Sequence, residues 1–181
     1  MNTKPLGHLV LAADPDPVPS ESHGHEVGLA LCLALRSARL RRRGLRLSRD
    51  YNGRFLLRLM RSPNIVVGQE SGSLPALLKP RIAGYGLAHL DREAGIPETS
   101  TQIDTVGTLL LRLFALSERQ KVAMAFDFRP WEHENRRYRL IFYAADEGRY
   151  PRPAQPLVRA DTAEKALVAG LVLLASRPTI G

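Results

Sequence analysis

Residues 45–61 read Leu-Arg-Leu-Ser-Arg-Asp-Tyr-Asn-Gly-Arg-Phe-Leu-Leu-Arg-Leu-Met-Arg, and this stretch decides the fold. Apolar residues alternate with polar ones on both sides of Asn52-Gly53, which is typical of two strands whose side chains point in turn to opposite faces of a sheet. Asn-Gly readily adopts the positive φ angles of a two-residue turn. The stretch predicts a β-hairpin with leucines on one face and Arg46, Arg54 and Arg58 on the other.

The segments around the hairpin predict a helix before it and further elements after it. Residues 21–43 carry apolar residues at helical spacing and end in an arginine-rich turn before Gly44. Residues 64–67 favour a third strand, 68–73 a loop, and 74–94 a helix that begins or kinks at Pro80. The first half therefore has the order helix, strand, strand, strand, helix.

The same order is predicted a second time. Caps at 99–101 precede a helix, alternation predicts strands over 120–128 and 136–145, and 157–159 favours a third strand. Asp161 or Thr162 then caps a final helix that ends near Ser176. Chance recurrence and a true duplication both explain the repeated order, and residue identity between the halves is negligible.

We therefore expect an α/β (α+β) fold, a layered sandwich of mostly antiparallel sheet with helices, in which two αβββα units follow each other. A short strand and a proline-rich linker occupy residues 1–20, the first unit residues 21–96 and the second unit residues 97–181. The two units form either separate domains or one joint domain.

Composition excludes several classes of protein. The 181 residues are 44% hydrophobic and 24% charged, which is ordinary for a globular chain and argues against wholesale disorder. The longest apolar run is about half of the roughly 20 residues that a membrane helix needs, so we expect a cytoplasmic protein without membrane partners. The lone Cys32 cannot form an internal disulfide and fits a buried helix position better than a nucleophile.

The positive charge is concentrated in one stretch. Residues 36–61 contain ten arginines and one acid, Asp50, whereas the whole chain carries a net charge of +8, so the remainder is almost neutral. A local basic stretch can bind phosphate groups, although arginines at a helix C-terminus also stabilise the helix dipole. The candidate residues for binding nucleic acid or another partner are five of these arginines and the tyrosine at the hairpin tip: Arg42, Arg43, Arg46, Tyr51, Arg54 and Arg58.

Residues 98–104, Glu-Thr-Ser-Thr-Gln-Ile-Asp, and the Ala/Leu-rich segment that follows Arg159-Ala-Asp-Thr-Ala resemble the phage ABA-sandwich family of small tailed-phage proteins. The resemblance covers residues 97–177. It implies an α/β/α layered domain of bacteriophage or prophage origin, and it implies no established chemistry. The long turn around 131–135 departs from the family pattern.

Two clusters of metal-ligating residues stand out, and neither indicates a cofactor. His23-Gly-His25-Glu26 opens the first helix, but residues two apart do not share a helix face. Asp127 with Glu132-His133-Glu134 could hold Mg²⁺ in a nuclease, although such sites usually collect ligands from several rigid elements. The sequence contains no phosphate-binding glycine loop with the required Lys-Ser/Thr.

The sequence thus predicts a non-catalytic phage or prophage accessory protein. We expect its partner to be a bacterial protein or protein complex, which it would inhibit or regulate in a counter-defence role of the anti-CRISPR kind. The sequence leaves open whether the protein forms a homodimer. Nucleic-acid binding through residues 36–61 is the alternative, and a metal-dependent nuclease at residues 127–134 is the third hypothesis.

Overall fold

The structure is a computed structural model that describes residues 21–49, 54–72, 74, 77, 96–143 and 153–176. The predicted first strand and linker over 1–20 and the hairpin tip at 50–53 lie outside the described residues. Most of the helix expected over 74–94 also lies outside them. Its two described residues, Leu74 and Leu77, are helical and buried in the core.

The described residues form three helices and one six-stranded antiparallel sheet, which confirms the predicted α+β class. The elements in chain order are α1 (Glu21–Leu40), β1 (Gly44–Arg49), β2 (Phe55–Ser62), β3 (Ile65–Gly72), α2 (Ser100–Arg119), β4 (Ala123–Phe128), β5 (Tyr138–Tyr143), β6 (Pro153–Ala160) and α3 (Ala163–Ala175). A single 3₁₀ turn at Glu134–Arg136 lies between β4 and β5. The strand order is β3-β2-β1-β4-β5-β6, so the strands of both halves join in one sheet.

The core lies between the helices and one face of this sheet. Alternate residues of each central strand are buried against the helices, among them Leu47, Leu57, Phe126 and Phe142. Burial of such side chains contributes about 1.5–3 kcal/mol each, which makes this layer the main source of stability. The hairpin arginines Arg46 and Arg58 occupy the intervening positions on the other face, as the alternation predicts. The second helical layer implied by an α/β/α sandwich is not seen in the described part of the chain.

An approximate twofold axis relates the two halves of the described fold. In the β1–β4 ladder Leu47 lies opposite Phe126, and in the α1–α2 contact Gly28 lies against Gly107. The partners in each pair are 79 residues apart, and so are the first residues of α1 and α2. A Cβ on Gly28 would approach the Ile103 carbonyl oxygen to 2.0 Å, and a Cβ on Gly107 would approach the equivalent Gly24 oxygen to 1.8 Å. The helices can approach this closely only because glycine occupies the crossing point.

The turns between helix and strand also repeat. Arg42 and Lys121 both have a φ of 50°, the left-handed conformation that ends a helix in a Schellman turn. In each turn the following amide donates back to the helix, from Arg43 to Ala38 (2.7 Å) and from Val122 to Ser117 (2.9 Å). Both turns therefore place the next strand in the same way.

Several boundaries differ from the sequence prediction. Helix α1 ends at Leu40, so the arginines that follow it belong to the turn. The loop predicted over 68–73 is wrong, because β3 continues to Gly72 through hydrogen bonds to β2 that its polar sequence does not signal. Strand β6 begins at Pro153 instead of residue 157; proline is tolerated there because an edge strand leaves some amides unpaired. Thr162, rather than Asp161, caps α3 by accepting the Lys165 amide.

Candidate nucleic-acid interface

Six residues, one from each strand, form a row across the face of the sheet opposite the helices. Strand register places them directly beside one another in the order Gln69, Arg58, Arg46, Asp127, Arg139 and Arg159. We call this set the arginine row. Because neighbouring strands lie about 4.8 Å apart, the row is roughly 24 Å long. Its four guanidinium groups and single carboxylate give it a surplus of positive charge.

Asp127 holds the centre of the row together. Its side chain is fully buried, and its two oxygens accept hydrogen bonds from Arg46 Nε (2.6 Å) and Arg46 Nη2 (2.7 Å). Arg129, just beyond the end of β4, donates to the same carboxylate from Nε (3.2 Å) and Nη2 (3.0 Å). The hydrogen bond to Asp127 raises the pKa of Arg46, so this guanidinium stays charged. Paired fork-to-carboxylate bonds of this kind fix the orientation of both side chains.

Arg139 lies beside this cluster and keeps an unused donor. Its Nη1 is 3.5 Å from Glu132 Oε1, but its buried Nε has no hydrogen-bond partner among the described residues. Burial lowers the pKa of Arg139, and the neighbouring charges of Arg129 and Arg159 lower it further. A buried donor without an acceptor is costly, so the position of Arg139 carries an energetic penalty within the described structure.

The ends of the row are the more accessible part. Arg159 is exposed on β6 and has no ion pair within the described structure, while Arg58 is half-buried and donates from Nε to Gln69 Oε1 (2.9 Å). A groove of about 420 Å³ opens beside Arg58, and its lining includes Arg46, Arg54 and Tyr143. Burial raises the pKa of Tyr143, so its phenol stays protonated and can donate a hydrogen bond into the groove.

The structure places the candidate binding residues predicted from the sequence at more than one site. Arg46, Arg54 and Arg58 all line the groove. Arg42 lies at the other end of the hairpin, in the turn after α1, and lines a different pocket. Arg43 follows it, half-buried, and its amide closes the Schellman turn. Tyr51 lies outside the described residues, so its predicted role at the hairpin tip stays a prediction.

The acids of residues 127–134 are engaged by arginines instead of converging on one point. Glu132 lies 3.6 Å from Arg129 Nη1, and Glu134 lies 3.5 Å from Arg137 Nη2. His133 Nδ1 is 2.9 Å from the Asn135 side-chain oxygen. Over the described residues no three metal-ligating side chains gather into a possible metal site. In the first helix, His25 contacts Asp104 across the helix pair, at the twofold axis.

Sequence reasoning missed Arg129, Arg139 and Arg159. The signal was present in part, because Arg139 alternates with Tyr138 and Leu140 and is therefore expected on the outer face. What placed these arginines beside Arg46 is the pairing of β1 with β4, and nothing local in the sequence specifies it. The basic surface consequently extends well beyond residues 36–61.

Comparisons with protein families, curated proteins and solved structures found no match to this chain. The resemblance of residues 97–177 to the phage ABA-sandwich family therefore stays a prediction. Within the described residues, no helix combines the length and apolar character needed to cross a membrane.

Proposed function

We propose that this protein binds the phosphate backbone of a nucleic acid along the arginine row. The observation that carries the proposal is the row itself: four arginines, supplied by four different strands, stand side by side on a sheet face that no described helix covers. Scattered surface arginines would not align in this way.

The dimensions of the row fit an extended polyanion. A length of roughly 24 Å corresponds to about seven nucleotide steps at 3.4 Å each. Arginine contacts phosphate through a planar fork, so the interaction requires no particular base sequence. Arg129 and the four arginines of the row carry five positive charges, of which the neighbouring Asp127 and Glu132 offset two, so the row should neutralise about three phosphates.

Fluorescence anisotropy with labelled 20-nucleotide DNA and RNA strands and a 20-base-pair duplex, all with hydroxyl ends, tests the proposal. Neutralisation of about three phosphates predicts that raising salt from 50 mM to 200 mM weakens binding roughly 20- to 40-fold. The variant carrying Arg58→Glu and Arg159→Glu reverses both ends of the row and should abolish binding at 50 mM. Each reversal is also made alone, and Arg112→Glu, at an exposed position on α2 in the helical layer, is the charge-matched control for these single variants. Absence of binding to every probe at 50 mM salt would refute the proposal.

Protein binding at the edge strand β3 is a second candidate, favoured by a specific observation. Ile65, Val66 and Val67 are about half exposed (52%, 48% and 49%) on a strand that forms the edge of the sheet. The opposite edge, β6, carries two prolines that block strand addition, whereas β3 carries none. We propose that β3 pairs antiparallel with β3 of a second copy of the chain. This arrangement agrees with the homodimer that the sequence left open.

Sedimentation velocity between 1 and 100 μM tests this second candidate. We expect a concentration-dependent dimer that Val66→Lys converts to a monomer. The charge-matched control is Val168→Lys, at a valine of similar exposure (44%) on α3. A monomer at all concentrations would contradict it. A bacteriophage origin, a bacterial target and a counter-defence role remain predictions from the sequence alone.

A further inference from the structure

A second cationic pocket lies at the end of the β1–β2 hairpin opposite the groove. It has a volume of about 530 Å³ and is lined by Arg39, Leu40, Arg42, Arg61, Pro130, Trp131 and Arg137. Its four arginines come from α1, from the turn after α1, from β2 and from the segment before β5. The described lining contains no acidic residue, so guanidinium groups dominate its charge.

Trp131 is held against the start of β1 as one wall of the pocket. A Cβ on Gly44 would approach the indole Cη2 to 2.4 Å and the Phe128 carbonyl oxygen to 3.0 Å, so a residue larger than glycine would displace the ring. The indole Nε1 is buried and has no hydrogen-bond acceptor among the described residues. The wall is therefore apolar, with one unused donor.

Two of the four arginines of this pocket have no ion pair among the described residues. Within the described structure Arg42 and Arg61 have no ion pair, and Arg137 has a 3.5 Å contact with Glu134, an exposed residue outside the lining. Guanidinium groups that share one cavity repel one another, and an anion bound between them would relieve this repulsion. An anion with several oxygens could accept from more than one of these forks at once.

The fold does not require this cluster, as the second half demonstrates. Under the approximate twofold axis, Glu118 replaces Arg39 and Ala123 replaces Gly44, while Lys121 keeps the turn conformation of Arg42. Glu118 forms an ion pair with Arg49 at 2.9 Å, so the equivalent region of the second half is partly neutralised. Among the described residues, the turn after α2 therefore lacks the arginine cluster found beside the turn after α1, although both halves share the turn conformation.

We infer that this pocket binds the terminal phosphate of a nucleotide chain. A terminal phosphomonoester carries nearly two negative charges at neutral pH, more than an internal phosphodiester, and matches the concentration of arginines. A cavity of this volume is of the size that holds one small ligand, which suits one terminal nucleotide with Trp131 against its apolar part. Arg61 lies three residues from Arg58 along β2, about 10 Å, and this odd spacing places the two side chains on opposite faces of the sheet. A strand that occupies both the pocket and the row would therefore pass around the end of the sheet. The inference rests on the proposed function for the strand that carries the phosphate.

Intrinsic fluorescence reports this pocket directly, because Trp131 is the only tryptophan in the chain. The full chain is titrated with three 12-nucleotide strands of one sequence that bear a 5′-phosphate, a 3′-phosphate or hydroxyl groups at both ends. We expect at least one of the phosphorylated strands to bind tenfold or more tightly than the hydroxyl strand and to change the Trp131 emission. Equal affinity for all three strands would overturn the inference.

Two variants test whether the preference for a terminal phosphate arises in this pocket. Arg42→Gly removes a guanidinium and keeps the left-handed turn, so the variant should fold; Arg61→Gln removes a second one. Each should reduce the preference for the terminal phosphate to threefold or less, while Arg112→Gln retains it. A preference that survives in both pocket variants would overturn the inference.

An additional titration with a mononucleotide distinguishes failure of this inference from failure of the proposed function. If the hydroxyl strand does not bind, backbone binding along the row is refuted. In that case a nucleoside 5′-monophosphate is titrated alone: a change in Trp131 emission that Arg42→Gly abolishes supports the pocket. No change with the wild-type protein overturns it. Inorganic phosphate at the same ionic strength controls for a general salt effect.

Discussion

Replacement of Asp127 by alanine tests whether the arginine row is built on a buried ion pair. The carboxylate is fully buried and accepts from Arg46 and Arg129, whose side chains are only 20% and 11% exposed. Within the described structure, Asp127→Ala leaves Arg46 without an anion in a poorly solvated position, and it leaves Arg129 with only its 3.6 Å contact to Glu132. Breaking a buried pair in this way costs about 3–5 kcal/mol. Total stability for a domain is only about 5–15 kcal/mol, so this loss is a large fraction of it.

Urea denaturation followed by circular dichroism measures the loss. For a chain of this size 1 kcal/mol corresponds to about 2–4 °C, so thermal melting should show a drop of roughly 6–20 °C. The matched control is Asp161→Ala, which removes an exposed carboxylate that bonds Lys165 Nζ at 2.7 Å. An exposed pair contributes little to folding, and the control should unfold close to the wild type.

Asp127→Asn is the conservative variant in this series. The amide keeps the shape and one acceptor oxygen but loses the charge, so the free energy of unfolding of Asp127→Asn should lie between that of the wild type and that of Asp127→Ala. If Asp127→Ala lowers the free energy of unfolding by less than about 1 kcal/mol, the buried pair does not organise the row. The reasoning that connects Arg46, Asp127 and Arg139 would then be refuted.

Three further outcomes follow from the described contacts. Gly107→Ala should destabilise by about 2–3 kcal/mol or more in urea denaturation, because its Cβ would meet the Gly24 oxygen at 1.8 Å, whereas Gly68→Ala, with nothing closer than 3.9 Å, should change stability little. Arg42→Gly should raise the free energy of unfolding by about 0.5–1 kcal/mol because glycine relieves the positive φ of 50°; a loss of stability would contradict this account of the turn. Burial raises the pKa of Cys32 to about 12, so the folded state holds its thiol proton more tightly than the unfolded state does. The protonated thiol therefore contributes to the free energy of unfolding. This contribution is complete below the unfolded pKa of about 9 and is lost between pH 9 and 12. Between pH 8 and 10 the wild type should therefore lose more stability than Cys32→Ala, and parallel pH profiles would contradict the burial of the thiol.

The elements of the fold were largely predictable because their signals are local. Alternation around the hairpin fixed the faces of β1 and β2, and capping residues marked the starts of two helices, with Thr99 accepting the Gln102 amide at 3.2 Å. The sequence also predicted a repeated order of elements, but it did not predict the approximate twofold axis that relates the two halves. Each of the predicted features depends on residues within a few positions of one another.

The candidate site was only half predictable because it depends on distant pairing. Arg46 and Asp127 become neighbours through the β1–β4 ladder, and no local pattern states that these strands meet. The sequence therefore offered Asp127 as a metal ligand, whereas the fold surrounds it with guanidinium groups. Arg42 illustrates the opposite error: closeness in sequence grouped it with Arg46, and the hairpin length separates their side chains into different sites.

The salt dependence of nucleic-acid binding tests the central claim most directly. The slope of log K against log salt, measured for the 20-base-pair duplex between 50 and 200 mM, should be about −2.7 for the wild type. Removing one phosphate contact with Arg159→Gln should reduce its magnitude by about 0.9, while Arg112→Gln leaves it unchanged. A wild-type slope near zero, or equal slopes for the wild type and Arg159→Gln, would contradict binding along the arginine row.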